Sequence, residues 1–180
     1  MRRIILILIL ILVFSMAAYA NGQQEVVPVR DNDGYLSVSA GDFDVRWKAE
    51  GDQLNFEITA PTTGWVSVGF DPERVMKGAN FVIGYVDGDT VVAKDHYGSG
   101  TFAHKADEEL GGTGDIISYD GREENGETTL QFTIPIDSGD EFDTVLTPGE
   151  VHTVLVACGP DGSDNFTKKH SKRSKVDVKL

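Results

Sequence analysis

One thioether and four imidazoles are the side chains of this 180-residue chain best suited to hold a soft or borderline metal. Met1 and Met16 fall within the first twenty residues, so Met76 is the only methionine beyond them. It sits in Asp71-Pro72-Glu73-Arg74-Val75-Met76-Lys77-Gly78-Ala79-Asn80, a polar, turn-like connection between two apolar segments. In that setting it reads either as a core filler or as a sulfur offered to haem iron or copper. His170 stands among Lys168, Lys169, Lys172 and Arg173. Neighbouring cations disfavour the imidazolium, which leaves two readings: a neutral imidazole free to bind a metal, or part of a solvated basic tail. His152 opens an apolar strand and reads as structural. His96 and His104 lie in an irregular stretch with Asp95 and Asp107, where solvent-facing loop roles and a small metal site both stay open.

No two of these histidines are spaced as H-x-H or H-x-x-x-H, and with one cysteine they make no zinc cluster. That cysteine, Cys158, lies in the apolar run Val154-Leu155-Val156-Ala157 and reads as a small buried hydrophobe. Being single, it excludes an intramolecular disulfide and a C-x-x-C-H attachment for covalent haem. Hydrolytic signatures (G-x-S-x-G, H-E-x-x-H, the P-loop) are absent from the sequence. The acidic turns Asp87-Gly88-Asp89 and Asp161-Gly162-Ser163-Asp164 offer oxygens to calcium, yet neither is a full EF-hand loop, so both read as β turns.

Positioning such groups falls to short strands. Phe43–Ala49 and Leu54–Ile58 alternate with period two about a Gly51-Asp52 turn. Gly64–Phe70 puts Trp65, Ser67 and Gly69 on one side and Val66, Val68 and Phe70 on the other, and Asp71-Pro72 stops it. Phe81–Val86, Thr90–Ala93, Ile116–Tyr119, Thr128–Ile136, Val151–Cys158 and Val176–Leu180 supply further strands. Residues 96–114, with five glycines, read as a long loop. The pattern predicts an all-β fold, an antiparallel β sandwich of immunoglobulin-like general architecture, in one domain over residues 36–180.

Arg2-Arg3, the apolar run Ile4–Phe14 and Ala18-Tyr19-Ala20 read as a cleavable secretion signal over residues 1–20, followed by a polar leader over 21–35. No membrane span is expected after cleavage, and the location is extracytoplasmic, periplasmic or secreted, with membrane association through a partner. Beyond residue 20 there are 14 basic and 29 acidic residues, a charge of −15 that disfavours nucleic acid as a partner. Residues 21–167 carry −20 of it and residues 168–180 carry +5.

In the order of its motifs the chain resembles the DOMON family, in particular haem-binding members related to the cytochrome domain of cellobiose dehydrogenase. The pieces are Gly64-Trp65-Val66-Ser67-Val68-Gly69-Phe70-Asp71, Met76-Lys77-Gly78-Ala79-Asn80, Phe81–Val86, Asp95-His96-Tyr97-Gly98, Asp107, Leu130–Pro135 and the ending from His170 through Arg173 to Leu180. The resemblance implies one non-covalent b-type haem at an end of the sandwich, ligated by Met76 and His170. Trp65, Phe70, Phe81 and Tyr85 are candidates for its wall, although alternation must turn some of them to the core. Lys169, Lys172 and Arg173 are candidates for its propionates or for steering a partner, and a lysine among Lys168, Lys169 and Lys172 could take the histidine role. The implied activity is outer-sphere electron transfer rather than catalysis, with a membrane b-type cytochrome or an extracytoplasmic dehydrogenase as redox partner. The competing expectation is a haem-free module for carbohydrate or another small ligand, or an interaction domain.

Overall fold

Alternation of apolar and polar residues, interrupted by Gly, Asp or Asn, becomes a sandwich of two antiparallel sheets. The computed structural model describes residues 27–180, so the signal and its cleavage site lie outside the described residues. In chain order the strands are β1 (Val29–Arg30), β2 (Leu36–Ala40), β3 (Phe43–Glu50), β4 (Gln53–Ala60), β5 (Val66–Phe70) and β6 (Asn80–Asp87). Then come β7 (Thr90–Gly100), β8 (Ala103–Ala106), a single helical turn α1 (Asp107–Leu110), β9 (Ser118–Glu124), β10 (Glu127–Pro135), β11 (Val151–Cys158) and β12 (Lys172–Lys179). One sheet has the order β1-β2-β3-β4-β10-β9, the other β12-β11-β5-β6-β7-β8.

The inner faces of both sheets make one core. Val45, Trp47, Leu54, Phe56, Ile58, Leu130, Phe132 and Ile134 come from the first sheet, and Val66, Val68, Phe70, Val82, Val154, Val156, Cys158 and Val176 from the second. Phe56 is its hub, stacked on Phe132 with centroids 5.5 Å apart and on Trp47 at 6.4 Å, and edge-on to Phe70 at 5.5 Å. Phe70 is thus a core residue. Cys158 is buried as expected, its Sγ 3.8 Å from Ser171 Oγ, and burial pushes its thiol pKa up. His152 is also structural: its Nδ1 lies 2.6 Å from Asp71 Oδ2, while Asp71 Oδ1 accepts the Thr153 amide at 2.7 Å. Asp71 makes both contacts from a positive φ of 46°, a conformation that Asp tolerates better than most residues.

The long loop expected over residues 96–114 is overturned for most of its length. β7 continues through His96 to Gly100, β8 returns, and α1 follows. Gly98 does not break the strand; it serves a close approach. Its amide donates to Ala79 O at 2.8 Å and its carbonyl accepts the Gly78 amide at 2.9 Å, and a Cβ there would collide with the Met76 carbonyl. The glycine was needed for what lies across from it, not for a turn.

Candidate functional site

β5 is buried along its whole length on both faces, which a half-solvated sheet would not require. Inner residues Val66, Val68 and Phe70 meet the core; outer residues Trp65 and Ser67 floor a pocket on the far side of the same sheet. Phe81 and Ile83 of β6 and Leu155 and Ala157 of β11 extend that floor. Gly69 is required there, because a Cβ would strike the Phe81 ring that lies over it. The volume is about 880 Å³, within the range of about 300–1,000 Å³ usual for small-molecule and cofactor sites.

Two connections build the walls. The β5–β6 connection contributes Val75 and Met76, pinned against β7 through Gly98, and Val75 takes a positive φ of 58°, unusual for a β-branched residue. The β11–β12 connection lays Phe166 across the outer face, with its ring 5.4 Å from Tyr85 and 6.0 Å from His96, and returns through Lys168, Lys169 and His170. Arg173 and Lys175 of β12 continue the cationic side. Phe102, 81% exposed at the β7–β8 turn, and His104 complete the border. Gly98→Ala is expected to displace the Met76 connection while leaving the core folded. Nuclear magnetic resonance of the Met76 methyl group checks this; an unshifted resonance would contradict the proposed packing.

Met76, His170, Trp65, Phe81, Lys169 and Arg173 therefore border one pocket, although their sequence positions span more than a hundred residues. The remaining candidates lie elsewhere. Phe70 points into the core, Tyr85 supports Phe166, and Lys172 is paired with Asp42 at 2.9 Å. The pocket lies on the outer face of the second sheet rather than at an end of the sandwich.

His96 and His104 are eight residues apart, yet the β7–β8 hairpin brings their Nδ1 atoms to 2.8 Å. One ring must donate while the other accepts, so at least one Nδ1 is unprotonated. Burial foremost, with His104 alongside, lowers the His96 pKa to about 4, and burial also lowers that of His104. The hairpin itself, hidden under a glycine-rich stretch, was the signal missed in the sequence.

A second cluster faces the other side of the sheet. Asp95, Asp107 and Asp143 each bring a carboxylate oxygen to within 4.8 Å of the others. Burial first, then neighbouring carboxylates, raises Asp95 to about 8 and Asp107 to about 7. Burial likewise raises Asp143 to about 6. Asp95 and Asp107 fall in the stretch where the sequence leaves a small metal site open, but nothing in the sequence announces that Asp143 joins them.

The model of the DOMON domain family matches residues 39–159, most of the sandwich. The chain belongs to the DOMON family. Relatives include mouse DBH-like monooxygenase protein 2, 27% identical over 173 residues, and Drosophila melanogaster MOXD1 homolog 2, 41% identical over 46 residues. These alignments cover 93% and 26% of this chain but only 27% and 6% of the relatives, so the chain spans about a quarter or less of their length. Among solved structures, the cytochrome domain of Myriococcum thermophilum cellobiose dehydrogenase superposes with a TM-score of 0.58 at 10% identity, over 88% of this chain and 90% of that one. The cytochrome b domain of pyranose dehydrogenase from Coprinopsis cinerea gives 0.56 at 11%, over 85% and 80%. At such identities these likenesses establish the DOMON sandwich and leave the ligand to be argued from the pocket.

Proposed function

We propose that this DOMON domain is a ligand-binding module whose outer-face pocket takes an extended, largely apolar molecule carrying anionic groups at one edge. The observation that carries the reading is the pocket itself: an aromatic and aliphatic floor on a face that an ordinary sandwich would give to solvent, bordered by Lys168, Lys169, Arg173 and Lys175. Trp65, Phe81 and Ile83 would exclude water from the ligand. The cations would pair with its anionic edge, each pair strengthened by the dry surface beside it.

Within that class, Met76 and His170 favour haem b. A thioether and an imidazole on the border of one apolar pocket are a donor set suited to low-spin iron, and the cationic side suits propionates. Met76 and His170 would hold the group, which when bound would supply one-electron transfer. In this reading the domain works outside the cytoplasm as an electron carrier for a redox partner, a b-type membrane cytochrome or a dehydrogenase, rather than as an enzyme. Its acidic body would steer a basic partner.

Titration with haemin tests the finer reading. A sharp Soret band and a reduced α band of low-spin haem are expected, and Met76→Ala and His170→Ala should each convert the spectrum to high spin. Protein that stays colourless would reject haem and leave the general ligand reading to the probe experiment described in the Discussion.

A further inference from the structure

The outer face of β7 carries two imidazoles that the haem reading does not use. His96 pairs with Phe81 across the β6–β7 ladder, and Phe81 floors the pocket, so His96 stands on the pocket side of the sheet. The β7–β8 hairpin returns His104 beside it, with the two Nδ1 atoms 2.8 Å apart and the ring centroids at 4.9 Å. His104 borders the pocket, whereas His96 is 9% exposed, with the Phe166 ring edge-on to it at 6.0 Å. The charged groups that act on His96 are His104 and Lys94, with no carboxylate among them.

Burial opposes a positive charge on either ring, so both are neutral at pH 7, each with one proton and one free lone pair. Two nitrogens that each lie about 2.0 Å from one metal are about 2.8–3.5 Å apart for angles of about 90–120°. The observed 2.8 Å is at the near end of that span, so the rings need part by no more than about 0.7 Å to admit an ion. A thioether stands on the same face. His96 and Gly98 are two residues apart on β7, about 6.6 Å, and the Met76 carbonyl occupies the space that a Gly98 Cβ would take. Met76 and His104 both border the pocket, and the three rotatable bonds of a methionine let its sulfur search that distance.

We propose that His96 Nδ1, His104 Nδ1 and the Met76 thioether bind one copper(I) ion. Imidazole nitrogen suits both copper and zinc, and the sulfur selects copper(I) between them. On binding, the proton shared between the rings moves from Nδ1 to Nε2 of the ring that carries it, so both rings stay neutral and no proton is released. Phe81, with its centroid 6.2 Å from that of His104, and Phe166 beside His96 shield the ion from water. The assignment does not rest on the haem reading. The two share only Met76, which serves one metal at a time.

Wild-type protein kept anaerobic with ascorbate, and titrated with copper(I) against the coloured chelator bicinchoninate, should withdraw one copper per chain. X-ray absorption of the loaded protein should show one sulfur beside nitrogen neighbours, and Met76→Leu should lose the sulfur and bind more weakly. His104→Ala removes a ligand itself, where loss of an outer partner already costs about 10–100-fold, so it should weaken binding at least about 100-fold. If His104→Ala does not fold, Met76→Leu carries the comparison, since Met76 lies in a connection outside the core. His170→Ala, which should lose low-spin haem, should bind copper as wild type does. Failure of haemin to bind would overturn the haem reading alone. Absence of copper withdrawal by wild type would overturn the copper site, as would uptake undiminished in both His104→Ala and Met76→Leu, or uptake lost in His170→Ala.

Discussion

Phe56→Ala is expected to cost about 3–5 kcal/mol and to lower the urea midpoint so far that much of the variant is unfolded near physiological temperature. The ring touches Trp47, Phe70 and Phe132, so truncation removes its own buried area and three aromatic contacts together. Both sheets contribute those neighbours, which leaves neither free to collapse into the hole alone. Phe56→Leu, which keeps most of the volume, should recover more than half of the loss. Urea denaturation followed by tryptophan fluorescence measures both, since Trp47 reports from the same cluster. A loss below about 1 kcal/mol for Phe56→Ala would mean that the aromatic hub is not what joins the sheets.

Ala157→Trp is expected to abolish ligand uptake while leaving the fold nearly as stable as before. Ala157 lies on the outer face of β11, between Ser67 of β5 and Arg173 of β12, with its methyl group on the pocket floor. An indole there fills the volume a ligand would occupy, and the core residues Val156 and Cys158 on either side point the other way. Anilinonaphthalene sulfonate, apolar with one anionic group, is the probe: wild type should enhance its fluorescence, and the variant should bind it at least about 100-fold more weakly, or about 2.7 kcal/mol. Equal binding by both proteins would remove the pocket as the probe's site and, together with colourless protein in the haemin titration, as a ligand site.

Much of this fold is legible in local alternation because the first sheet has one wet face. β3 and β4 alternate cleanly, and their hairpin lies where Gly51-Asp52 puts it. The second sheet obeys a different rule. β5 and β6 are covered on both faces, so alternation separates their two faces but does not say which meets the core and which a pocket. That is why Phe70 and Phe81 read alike in sequence, although one packs on Phe56 and the other floors the cavity. Met76 and His170 stand out in the sequence as candidate ligands by donor chemistry and by motif order, and the fold puts both on the border of one pocket. The His96–His104 contact was not legible, and of the aspartate cluster only the stretch holding Asp95 and Asp107 was, without Asp143. Each depends on residues in different elements meeting in space, and the glycines that permit those approaches imitate loop composition.

The ladder between β4 and β10 joins residues 68 to 82 positions apart, and that between β5 and β11 joins residues 84 to 92 apart. Closing such long loops before their contacts form makes folding slow, and neither sheet can be completed until the second half of the chain is available. The pocket inherits this order of events. The local β5–β6 pairing brings Trp65 and Ser67 beside Phe81 and Ile83, but Leu155 and Ala157 join them only once β5 has met β11, so the floor is completed late. A bound ligand would therefore leave the folding rate almost unchanged and act by slowing unfolding, giving this protein its ligand-dependent persistence as a lifetime rather than as a faster route to the native state.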